Sequence, residues 1–143
     1  MINVEKIISD KEQCLGHTGL LPEGFAYLLE VFKIEYDIHL EERHKARFGK
    51  TRKMKKWWGN KGKLDTYEKK LFFILYYLKT YQTYTTLWWA FDMKKPRAYE
   101  RVYATLPPLL SSLKKTVYFL HWRKENLLKS LKGIQKLKIS WLM

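Results

Sequence analysis

Apolar positions recur along this chain at spacings of three and four, which predicts helices. Phe25, Leu28, Leu29, Phe32, Tyr36 and Leu40 make one apolar face of a helix running from about Pro22 to Arg47. Pro22 and Glu23 suit its first turn, where a missing N–H costs nothing and an acid complements the dipole. Residues 2–14 carry a shorter, weaker helical pattern. Asp65 or Thr66 is placed to cap a helix over 66–80, with Leu71, Ile74, Leu75 and Leu78 as its main stripe. Phe72, Tyr76 and Tyr77 widen that stripe. Thr83 or Thr85 caps a short helix to about Phe91, lined by Leu87, Ala90 and Phe91. A turn, Asp92-Met93-Lys94, leads into a helix over 95–106 with Ala98, Val102 and Leu106 on one side. Pro96 falls in its first turn, and Pro107-Pro108 are expected to end or kink it. From Leu113 to Met143 the period is again helical, the opposite face is basic, and Gly133 is the one flaw.

The pattern predicts an all-α fold: a helical bundle with a helix-turn-helix, a basic linker and a C-terminal amphipathic helix. Four parts are expected: acidic N-terminal helices over 1–45, a basic linker over 46–63, the helix-turn-helix over 64–113, and a basic amphipathic tail over 114–143.

Charge sharpens this division. The chain of 143 residues has a net charge of +14, which suits a polyanion such as nucleic acid or an anionic membrane surface. Residues 1–42 hold three lysines and nine acids, a net of −6. Residues 43–143 hold twenty-five Lys/Arg and five acids, a net of +20. Residues 43–63 contain ten Lys/Arg and no acid. That segment reads either as a solvated linker or as an arm whose Lys53, Lys55 and Lys56 lie on phosphate. Trp57-Trp58 are then available for stacking or minor-groove insertion, or for packing on the core. The single cysteine, Cys14, excludes an intramolecular disulfide and fits a reducing compartment. The longest apolar run, Leu71 to Leu78, is far short of a bilayer span, and the N-terminus has no long apolar core of a secretory signal. A cytoplasmic protein is expected.

The sharpest chemistry lies at the start of the helix over 95–106. Two short helices joined by a tight turn suit a helix-turn-helix, whose second helix presents its N-terminal residues to base edges and phosphates. Lys94, Lys95 and Arg97 sit there, with Tyr99 and Arg101 next outward. Lysine mostly neutralises phosphate, whereas arginine reads guanine through a bidentate contact.

Leu87, Phe91, Met93, Ala98, Val102, Leu106-Pro107 and Leu109-Leu110 together resemble the N-terminal helix-turn-helix of DDE-type insertion-sequence transposases of the Harbinger-related group. The lead-in KKLFFILYYLKTYQTY and the front segment TGLLPEGF are also similar to that family's, and the match covers about 64–113. The resemblance implies double-stranded DNA as partner, terminal inverted repeats as target, self-association or association with an intact transposase, and a place in the bacterial nucleoid. Three positions depart from the family pattern. Lys94 replaces the usual Ser/Thr cap, which weakens helix nucleation but adds a cation. Trp88 stands where a small residue is usual and must swing outward or strain the packing. Asp92 stands where glycine is usual, and tolerates a left-handed backbone better than most residues. DDE enzymes cut DNA with three metal-holding carboxylates on a later domain. After Asp92 this chain has only Glu100 and Glu125, so a truncated, catalytically inactive DNA-binding part is expected.

Other chemistry is weakly supported. His17, His39, His44 and His121 are scattered and lack zinc spacing, so no metal is expected. No phosphate-loop or dinucleotide glycine pattern occurs, and no cofactor is expected. Ser111-Ser112 has no adjacent base in any readable arrangement. Two rival readings stay open: a membrane-surface or protein-interaction module acting through the tail, and a decaying reading frame without a selected role.

Overall fold

The computed structural model describes residues 2–50 and 62–142, with side chains of the last helix described through Val117 and at Lys124 and Glu125. The fold is all-α, as the periodicity predicts, and holds six helices with no strand among the described residues. They are α1 (Val4–Ser9), α2 (Lys11–Thr18), α3 (Pro22–Phe48), α4 (Tyr67–Thr80), α5 (Tyr84–Ala90) and α6 (Lys95–Leu142).

Local chemistry sets most boundaries. The weak pattern over 2–14 is two helices, because Asp10 adopts an extended backbone and its carboxylate accepts from the amides of Glu12 and Gln13. Gly19 ends α2 in the left-handed region, and Pro22 opens α3 as expected. Thr66 is the residue that caps α4, and Thr83 caps α5. Of the predicted α4 stripe, Leu71 and Ile74 are buried, Leu75 is half-buried and Leu78 is exposed. Phe73, which the stripe omitted, is fully buried. The turn Leu71–Ile74 of α4 is covered on every side, so a one-faced pattern understates it.

Of the expectation that Pro107-Pro108 end or kink the helix, the ending is corrected: α6 runs for 48 residues with both prolines inside it. Each ring removes the N–H that the carbonyl four residues earlier would accept, at a cost near 3 kcal/mol. Tertiary packing offsets this. Pro108 and Leu109 are fully buried, and the Ser112 hydroxyl donates to the Pro108 carbonyl at 2.7 Å.

The core draws on both the acidic front and the predicted DNA-binding part. Val4, Ile7, Cys14, Phe25, Leu28 and Phe32 meet Leu71 to Ile74 of α4, with Leu87, Phe91, Ala98, Val102 and Leu109 completing one cluster. Polar ties cross the same boundary. The Ile2 amide donates to the Ala90 carbonyl at 3.1 Å, and the Tyr67 hydroxyl donates to Asp37 at 2.6 Å. Lys115 donates to Glu35, whose side chain is only 6% exposed. Residues 2–48 and 62–117 therefore pack as one body.

Candidate nucleic-acid interface

The turn between α5 and α6 is built from inside outwards. Leu87 and Phe91 bury the inner face of α5, and Ala98 and Val102 that of α6. Phe91 sits against Phe73, Tyr76 and Phe72, at ring-centroid distances of 5.0, 5.6 and 6.1 Å. Asp92 takes φ +50°, the left-handed conformation expected of it. The Met93 amide donates to the Trp88 carbonyl at 3.0 Å, and the Lys94 carbonyl accepts from Arg97 and Ala98. Lys94 is thus the residue before the first helical turn, and it contributes a cation rather than a capping side chain.

This geometry places Lys94, Lys95 and Arg97 together, exposed, at the positive end of the α6 dipole. Among the described residues Lys94 and Lys95 have no ion-pair partner. Arg97 lies 3.5 Å from Glu100 with both side chains largely exposed, a pair worth at most about 1 kcal/mol and easily exchanged. Asp92 would oppose an incoming phosphate, but Lys63 holds it at 2.7 Å and keeps its carboxyl below the usual range. Arg101 is half-buried, and its guanidinium lies 3.3 Å from where a Cβ at Gly62 would be, so it faces the end of the basic segment. Lys53, Lys55, Lys56 and Trp57-Trp58 lie outside the described residues.

Tyr99 is less free than its nomination implied. Its ring lies 4.5 Å from Tyr103 and 5.4 Å from Tyr84, which itself stacks on Tyr77 at 5.8 Å. The Tyr103 hydroxyl raises the Tyr99 phenol above its ordinary value. Hydrogen bonding to Tyr77, then burial, pushes Tyr84 up to about 12. These four tyrosines form a cluster beside the cations that sequence reasoning missed, since 77 and 103 are distant in the chain. Trp88 is half-buried against the core rather than swung out, and its Nε1 is buried without a partner among the described residues. Trp89 is the outward one, 70% exposed.

A second polar arrangement corrects the reading of Ser111. Its hydroxyl lies 2.9 Å from His39 Nε2, and His39 Nδ1 lies 3.6 Å from Glu42. His39 and Glu42 border a cleft of about 340 Å³ between α3 and α6, lined also by Tyr36, Arg43, Tyr103 and Pro107. The separation of 72 residues hid this from the sequence. Ser111 sits in mid-helix, where backbone N–H groups are committed to the helical ladder and do not point at a developing oxyanion. The contact therefore serves as a polar tie between α3 and α6. Among the described residues no group of three or more His, Cys, Asp or Glu side chains could hold a metal ion, and no helix is long and apolar enough to cross a membrane.

No family model, curated protein or solved structure matches the chain.

Proposed function

We propose that the chain is a double-stranded DNA-binding module in which α5 and the first turns of α6 act as a helix-turn-helix, without strand cleavage of its own. The observation that carries this reading is the exposed row Lys94, Lys95 and Arg97, set directly after a tight turn whose inner face is locked by buried Leu87, Phe91, Ala98 and Val102. The two lysines neutralise phosphate. Arg97 exchanges its weak pairing with Glu100 for the acceptor edge of a guanine. The resemblance to transposase helix-turn-helix regions supports the same partner and adds terminal inverted repeats as the target class, the bacterial nucleoid as the place, and an intact transposase as a competitor or associate.

The test is fluorescence anisotropy of the full chain on labelled duplexes across a salt series. Lys94→Ala combined with Lys95→Ala is expected to lower the slope of log K against log salt by nearly 2, about 0.9 per phosphate contact. Arg97→Ala is expected to cost about 1–3 kcal/mol on a preferred site and little on random duplex. Equal losses on both duplexes would remove Arg97 from base reading. An unchanged slope in the lysine variant would remove the phosphate contacts and the proposal with them.

A further inference from the structure

Two adjacent prolines leave α6 with backbone acceptors that the helix itself cannot answer. Pro107 and Pro108 carry no N–H, so the carbonyls of Tyr103 and Ala104 lose the donors four residues on. Other carbonyls of this stretch gain side-chain donors. The Thr105 hydroxyl donates to Arg101 and the Ser112 hydroxyl to Pro108, both at 2.7 Å. Among the described residues no hydroxyl does the same for Tyr103 or Ala104. Core packing accounts for Pro108, which is fully buried. It does not account for Pro107, which is exposed and still costs the helix a bond.

Tyr103, Ala104 and Pro107 all line the cleft of about 340 Å³ between α3 and α6. That volume falls within the range of small-molecule sites, about 300–1,000 Å³. The opposite wall is mainly apolar, from Tyr36, Leu40 and Ala46 of α3. Two opposite charges stand at the same cleft. Glu42 is 67% exposed, with His39 Nδ1 at 3.6 Å. Arg43 is exposed and has no ion-pair partner among the described residues. We infer that the cleft binds a small zwitterion of the amino-acid class with an apolar side chain. Its ammonium donates to the Tyr103 and Ala104 carbonyls, and its carboxylate accepts from Arg43.

Charge selects this occupant. A bare amine suits the carbonyls and Glu42, but it meets Arg43 and a chain of net charge +14. A bare carboxylate suits Arg43, whose planar fork matches it bidentately, but it meets two carbonyl oxygens and Glu42. A hydrocarbon leaves the carbonyls and the guanidinium both unanswered. A zwitterion carries no net charge and supplies a donor and an acceptor together. Its apolar side chain lies on Tyr36, Leu40 and Ala46. This inference is independent of DNA binding.

The test is an amide NMR titration of the full chain with L-phenylalanine. Phenethylamine, which lacks the carboxylate, and hydrocinnamate, which lacks the ammonium, are titrated beside it. Phenylalanine is expected to bind with a Kd of about 1 mM or tighter, and each analogue at least ~10-fold more weakly. Arg43→Ala is expected to weaken phenylalanine ~10-fold and to leave phenethylamine within about 2-fold. Pro107→Ala returns an N–H to the Tyr103 carbonyl. It is expected to weaken phenylalanine and phenethylamine ~10-fold, to leave hydrocinnamate within about 2-fold, and to raise the urea midpoint. Equal weakening of all three ligands by Pro107→Ala would reduce the proline to a piece of wall and overturn the carbonyl contact. Either analogue binding as tightly as phenylalanine overturns the zwitterion. No shift of the cleft amides at about 20 mM phenylalanine overturns the site itself.

Discussion

Phe91→Ala tests whether one core supports the turn that presents Lys94, Lys95 and Arg97. Phe91 is 4% exposed and touches three aromatic rings of α4, all within 6.1 Å. Truncating a buried phenylalanine costs about 3–5 kcal/mol, and each aromatic pair adds roughly 0.5–1.5 kcal/mol beyond area burial. Three pairs place this site in the upper part of the range, so a loss of about 4 kcal/mol is expected. Phe91→Leu keeps most of the apolar volume and loses chiefly the ring contacts, for an expected ~1–2 kcal/mol. A chain of this size has roughly 7–20 kcal/mol to lose from, so both variants should remain folded enough to measure. The assay is urea unfolding followed by far-UV and near-UV circular dichroism. One coincident transition is expected, moved to lower urea with its slope unchanged. A loss below about 2 kcal/mol for the alanine variant would refute the packing argument. Two separated transitions, with only one moved, would refute the shared core.

The fragment 64–113 is expected to show no cooperative thermal transition, because Leu71, Phe72, Phe73 and Ile74 lose the cover of α1 to α3; a sharp transition like that of the whole chain would show that it folds alone. Lys115→Ala leaves Glu35 buried without its charge partner. A fully buried broken pair costs about 3–5 kcal/mol, but Lys115 is 60% exposed, so solvent reduces the expected loss to about 1–2 kcal/mol in urea unfolding. Glu35→Gln in the same background should recover part of it, and no recovery would mean that the ion pair is not the cause. Tyr77→Phe should bring the Tyr84 phenol down from about 12 toward 10, read by phenolate absorbance. Because the folded value is raised, the linked stability is fully present below the unfolded value near 10 and is lost as pH rises toward 12. Alkaline unfolding of wild type unaffected by Tyr77→Phe would count against that linkage.

The helices of this fold were legible where apolar spacing was strong. The α3 face from Phe25 to Tyr36 is buried as read, and the caps at Thr66 and Thr83 follow from side chains that can accept from the first free amides. Spacing reveals that a face is buried but not what buries it, so the common core of the acidic front and α4 to α6 could not be seen. Pro107-Pro108 failed as a stop signal because the rule is local. Burying Pro108 and Leu109 between helices offsets lost backbone bonds that an isolated helix would not tolerate. At the site, Lys94, Lys95 and Arg97 were readable as a row, since a helix start fixes their common end. The clasp of Lys63 on Asp92, the tyrosine cluster and the His39–Ser111 contact were not, since each joins residues that only tertiary folding brings together.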